Sequence, residues 1–160
     1  MFAIVALLRE RYPEFRNCSI VNSGVNAGIR ETYQIDGLYT LKGSDLVEGI
    51  EFSCPVARCA HPMDIHNAAS SGQTLVRLEK PAYVPHTALI PKQKTHLIAA
   101  GRCVSADREA LASLRVQGTL MSIGESAGIM GALAAKRDCS VPEIPEADLL
   151  CELKKREVVL

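Results

Sequence analysis

The chain has no tryptophan, and phenylalanine and tyrosine together supply only 4% of its 160 residues. A core of this composition rests on aliphatic and small side chains rather than on large rings. Net charge is missing too: 18 Lys and Arg balance 18 Asp and Glu. That excludes the basic footprint of a nucleic-acid-binding protein and the acidic one of a cation store. No apolar run approaches the ~20 residues a membrane span needs. The nearest, Met1 to Leu8, lacks a basic leader and passes straight into Arg9-Glu-Arg11. It reads as the buried face of a helix rather than a signal peptide. Six cysteines stand at 18, 54, 59, 103, 139 and 151 without a Cys-x-x-Cys pair. No metal site is expected from that spacing, and reduced cytoplasmic thiols used as small core residues are the plain reading. There is also no Gly-x-Gly-x-x-Gly after a strand. Gly24-Val-Asn-Ala-Gly28 has the wrong spacing and the wrong context.

What the chain does have is punctuated α/β patterning. Residues 2–11 read as a helix stopped at Tyr12-Pro13, and 18–22 as a short strand. Arg30 to Leu41 predicts a hairpin turning at Asp36-Gly37. Ser44 is expected to cap a short helix. Pro55 to His66 reads as extended, Gln73 to Glu79 as a strand with one wet face, and Pro81, Pro85 and Pro91 as a stiff connector. Leu97 to Ala100 is wholly apolar, like a strand of a parallel sheet covered on both faces. Helices follow at 107–114, 116–136 and 145–157, the last two separated by a proline-bearing linker.

Chemistry concentrates around Gly101-Arg102. An apolar strand, a glycine corner and a long helix with Gly124, Ala127, Gly128, Gly131, Ala132 and Ala135 at helical spacing make a platform for a nucleotide cofactor. Close packing of the helix on a sheet explains the same stripe, and is favoured for Gly131 and Ala135. The wording resembles the carboxy-terminal part of the FAD-dependent oxidoreductase family, the glutathione-reductase-like flavoproteins related to heterodisulfide reductase flavoprotein subunits. That family's N-L-x-V-A-G-R-C-x-S, R-V-x-x-T and G-x-x-A-G appear as 96–105, Arg115-Val-Gln-Gly-Thr119 and Gly124-Glu-Ser-Ala-Gly128. Gly28-Ile-Arg-Glu-Thr32, Gly37-Leu-Tyr-Thr-Leu41, Pro62-Met-Asp-Ile-His66, Pro81-Ala-Tyr-Val-Pro85 and Leu89-Ile-Pro91 match its weaker motifs. The chain departs from the family at Tyr33, where an arginine is common, and at His86-Thr-Ala88, where Tyr-Arg-Ser is common.

The resemblance implies a mixed α/β fold: the carboxy-terminal part of a two-domain, Rossmann-like flavoprotein. Residues 1–91 would be a partial substrate domain, 92–137 the last strand and helix of the FAD-binding domain, and 138–160 a linker and final helix. FAD is the implied cofactor. Some relatives carry a 4Fe-4S cluster, for which this chain has no ligand spacing. Gly101, Arg102, Arg115, Gln117, Gly118 and Thr119 would hold the flavin, the 117–119 amides by facing its pyrimidine edge. His66, oriented by Asp64, would be the acid/base, since histidine titrates near neutrality. Arg30 would hold a carboxylate or polarise a carbonyl on a small-molecule substrate. Each has a plainer reading: a turn glycine, a surface histidine, an internal ion pair for Arg30, a helix-capping Arg115. His61, His86 and His96 are set aside. Two other functions fit the same features. One is a non-catalytic split subunit completing a cofactor site on another chain, whether a missing amino-terminal half or a homo-oligomer partner. The other is a small self-sufficient protein using the helix end for phosphate.

Overall fold

The computed structural model describes residues 1–26, 28–31, 33–66 and 72–160, with the backbone alone for His66 and Gln73. The order is α1 (Phe2–Arg11), α2 (Gly43–Glu48), β1 (Pro55–Cys59), β2 (Met63–His66), β3 (Gln73–Val76), β4 (Ala82–Pro85), α3 (Arg108–Leu114), α4 (Gln117–Arg137) and α5 (Glu146–Lys155). The class is mixed α/β, as expected. The strands form two antiparallel pairs, β1 with β4 and β2 with β3. One hydrophobic core runs from Leu41 and Val56 through Leu114 and Met130 to Leu153.

α4 is the spine. Thr119, Ile123, Ser126, Ile129, Met130 and Ala134 are its buried positions, spaced three or four apart so that they share one stripe. That stripe lies on β1, where the buried Ser126 hydroxyl donates to the Val56 carbonyl at 2.5 Å. Leu149 and Leu153 dock α5 on α4, and Arg137 pairs with Asp148 at the far end. α3 starts where the sequence indicates: Asp107 accepts from the Ala110 N–H at 2.7 Å. The same carboxylate accepts from the Gly43 N–H at 3.1 Å, so one side chain caps two helices, worth about 1 kcal/mol for each cap.

Several expectations change. α2 begins at Gly43, and its amino end is closed by Asp45, accepting from the Lys42 N–H at 2.9 Å, and by Asp107, not by Ser44. No hairpin forms at Asp36-Gly37. The Leu38 N–H donates to Ile90, Leu41 to Ser105 and Ile35 to Cys103. Gly37 serves close approach rather than a turn, since a Cβ there would lie 2.6 Å from that of Ser105. Residues 18–22 form no strand, and neither do 97–100. In the latter, Ala99 donates to Leu89 at 2.8 Å, but among the described residues no neighbouring strand completes a ladder. The proline connector contains a true strand, β4. α1 buries nothing, and its Phe2 is 82% exposed.

All six thiols are free, but only Cys54 and Cys59 are buried. Burial, then the nearby Glu146 carboxylate, pushes the Cys54 thiol up to about 11. Burial also raises Cys59, against a lowering hydrogen bond from Ser113. Both are held as unreactive neutral thiols. At pH 8 an alkylating reagent is expected to modify the exposed Cys151 within minutes and to reach Cys54 and Cys59 only in urea. Site-resolved mass spectrometry reads this out, and early labelling of Cys54 would mean the β1 region opens.

Candidate functional site

The corner after residue 100 is built on a backbone only glycine tolerates. Gly101 has φ +104°, and a Cβ added there would meet nothing within 4 Å. The site is open as well as strained. Arg102, exposed, donates through Nη1 to the Ile29 carbonyl. A few residues on, α4 begins. Its cap position is Val116, whose side chain has no oxygen and makes no capping hydrogen bond. Gln117 and Gly118 are exposed, Thr119 is buried, and the space over Gly118 is clear to 4 Å. A 21-residue helix presents roughly half a positive charge at such an end. α3, by contrast, has its end closed by Asp107.

Arg102, next to the glycine corner, and Val116, at the α4 cap position, line one hollow of about 270 Å³, whereas Gly101, Gln117, Gly118 and Thr119 are not among its walls. Its walls are Arg30, His61, Asp64, Arg102, Ala112, Arg115 and Val116. Thus Arg30, Arg102 and Arg115, chosen from sequence for separate reasons, come together. Arg115 lies inward at 10% exposure, paired with Glu31, and Nη2 donates to the Asp64 carbonyl at 2.8 Å. Its side chain braces the wall, while its backbone closes α3, the N–H donating to the Leu111 carbonyl at 3.0 Å. Glu31 also stands 3.7 Å from Arg108, so its ion pairs run to α3 and to Arg115.

His66 contributes its backbone to β2 opposite Gln73, and its side chain lies outside the described residues. Sequence reasoning passed over His61, which the structure puts in the hollow with Nδ1 2.7 Å from the Pro62 carbonyl. The signal available was its place directly before the Pro62-Met-Asp64 motif. His86 instead faces Cys54 and Glu146, with Nε2 3.9 Å from the carboxylate. His96 lines a larger hollow of about 750 Å³ at the carboxy end of α4, beside Asp138 and Glu143. Hydrogen bonds from Ser140 hold the Glu143 carboxyl below its ordinary range. A helix carboxy end with carboxylates disfavours an anionic cofactor.

Of the small-residue stripe, Ala127 packs against the core, while most of the rest is open. Gly124 and Gly128 face open space, Ala132 and Ala135 are exposed, and Gly131 meets only the tip of Ile98, at 3.9 Å. Among the described residues no group of three His, Cys, Asp or Glu side chains is placed to hold a metal ion. No described helix is long and apolar enough to cross a membrane.

What remains is a hollow lined by three arginines, with Gly101 and the first residues of α4 adjoining its walls in the chain, and such a hollow suits an anionic group such as a phosphate. No curated protein and no solved structure matches the chain. The profile of the family described as FAD dependent oxidoreductase matches residues 1–155, and FAD is that family's cofactor. The chain belongs to the FAD dependent oxidoreductase family.

Proposed function

We propose that this chain supplies the flavin-ring corner and part of the substrate wall of an oxidoreductase that moves a hydride between a small molecule and FAD. Its kinship is with the glutathione-reductase-like branch that includes heterodisulfide reductase flavoprotein subunits. The observation carrying the reading is that Arg102 and Val116, one residue after Gly101 and two before Gly118 in the chain, border one hollow. Bound FAD supplies a reversible two-electron acceptor. The 117–119 amides would stabilise the negative charge that the flavin gains on reduction, and Gly118 would carry no side chain to hold the ring off. Gly101 lets the ring approach backbone, and Arg102 offers hydrogen bonds to its polar chain. Arg115 fixes the wall. His66, from the Asp64-Ile-His66 motif, takes and returns the proton. The matched segments belong to a Rossmann-like cofactor domain and a substrate domain, in the cytoplasm.

With no Gly-x-Gly-x-x-Gly in the sequence, the pyrophosphate lacks its usual cradle. FAD affinity for this chain alone should be weak, and the purified protein should leave gel filtration colourless. At millimolar FAD, amide resonances of Gly101, Gln117, Gly118 and Thr119 should move in two-dimensional NMR spectra while those of α5 stay still. Movement confined to the hollow around His96 would overturn the assignment.

A second reading, a subunit completing a cofactor site on another chain, is favoured by the open glycines of α4 and the exposed apolar residues of α1. Light scattering after chromatography, with and without a partner bearing the glycine fingerprint, tests it.

A further inference from the structure

α1 buries none of its residues. Its Ile4 is 61% exposed and its Leu7 48%, and Arg11 is exposed as well. At about 100° per residue, positions 4, 7 and 11 fall within about 60° of one another on the helix. They make one stripe, two apolar side chains followed by a cation. A second exposed surface lies between α4 and α5, where a groove of about 530 Å³ is lined by Gly128, Ile129, Ala132 and Leu133. Gly128 leaves room in it, since a Cβ there would meet nothing within 4 Å. Glu125 borders the groove one turn before Gly128. α5 runs back along α4, with Asp148 paired to Arg137, so Lys155 and Arg156 border the Glu125 end. Among the described residues neither Arg11 nor Glu125 forms an ion pair. No residue of α1 lines this groove.

We propose that the groove receives α1 of a second copy of this chain, antiparallel to α4, in a two-fold dimer where each copy's α1 fills the other's groove. The dimensions agree. Ile4 to Arg11 and Ala132 back to Glu125 each span about 10.5 Å of helix rise. Ile4 then lies over Ala132, Leu7 over Gly128 and Arg11 against Glu125. Glu10 comes to the same end, where Lys155 and Arg156 stand, so the charges alternate in matching order. The antiparallel setting also opposes the two helix dipoles. The exchange runs between copies because α1 is tied back within its own chain, Arg9 Nε donating to the Cys18 carbonyl at 3.1 Å. A helix of this length in a groove buries about 300 Å² on each side. Two such contacts remove about 1,200 Å², the lower end of specific interfaces, which makes a weak dimer. The inference does not rest on the flavin reading, which uses the separate hollow walled by Arg102 and Val116.

Sedimentation equilibrium of the chain from about 1 to about 200 µM provides the test. The mass should rise from 17.3 kDa towards twice that value, with a midpoint of some tens of micromolar. Leu7→Glu should weaken association about 100-fold or more, since each dimer buries two such leucines. Gly128→Phe, which fills the groove, should do the same. Both positions are open in the single chain, so both variants should fold and keep the parent's circular dichroism. Arg11→Glu and Glu125→Arg should each weaken association about tenfold, and the two together should restore it, because the pair is then reversed rather than broken. A mass of 17.3 kDa at every concentration overturns the proposal, and so does a dimer indifferent to Leu7→Glu. A double charge reversal that recovers nothing overturns the pairing of α1 with α4. A lower urea midpoint for Leu7→Glu at every concentration, with no dimer in the parent, puts α1 in its own groove and overturns the exchange between copies.

Discussion

Replacing Gly37 by valine should cost about 3 kcal/mol of stability. Gly37 is buried, and its hypothetical Cβ falls 2.6 Å from the Ser105 Cβ and 3.0 Å from the Tyr39 carbonyl oxygen. Ser105 cannot retreat easily. Its N–H donates to Ala88 at 2.9 Å, its carbonyl accepts from Leu41 at 3.0 Å, and its hydroxyl lies 3.0 Å from that of Thr40. Overpacking a well-filled core typically costs about 1–3 kcal/mol, and two branched methyls against fixed backbone stand at the top of that range. Urea unfolding measures the loss as a fall in midpoint at constant slope. Alanine at 37 should cost less, and Ser105→Gly, which removes the opposing Cβ, should recover part of that loss. If Gly37→Val unfolds within 1 kcal/mol of the parent, segments 35–41 and 103–107 do not pack as described.

That position also shows what the sequence conceals. Asp36-Gly37 carries a hairpin's local signature, yet the glycine is needed for a neighbour 68 residues away in the chain, Ser105. Turn chemistry is local and can be read; close approach is not. The helices were legible for the same reason. Asp107 before an apolar run, and Lys136-Arg137 at the end of a long one, act within a turn of their own position. Strands at 18–22 and 97–100 failed because a ladder needs a partner, and apolar residues alone do not say whether one is present. α4's glycines look like packing positions in any periodicity plot, but packing is a statement about a second surface. At the site, the Gly101 corner was readable because φ above zero requires glycine. The convergence of Arg30, His61 and Arg115 was not, since side chains from three distant segments meet there.

Removing the carboxylate of Glu31 should destabilise the protein by about 2–3 kcal/mol, more than removing its partner Arg115, although Glu31 is the more exposed of the two. Glu31 is 37% exposed and Arg115 10%. In Glu31→Ala, a guanidinium nine-tenths out of water keeps only the Asp64 carbonyl, at 2.8 Å, so a nearly buried cation loses its counter-charge. In Arg115→Met, the stem volume is largely kept and the freed carboxylate turns to water or to Arg108, 3.7 Å away. The asymmetry therefore follows from which partner can rehydrate, not from which makes more contacts. A double-mutant cycle in urea isolates the coupling, expected at about 1–2 kcal/mol. The cost should fall chiefly on residues 28–31. Their described ties to α3, its carboxy end and the Gly101 corner include the side chains of Arg108, Arg115 and Arg102. In Glu31→Ala, trypsin should therefore cut after Arg30 well before the core unfolds, whereas in Arg115→Met cutting should rise only modestly. If Arg115→Met costs more than Glu31→Ala, the pair acts as an anchor for the segment rather than as neutralisation of a sequestered charge.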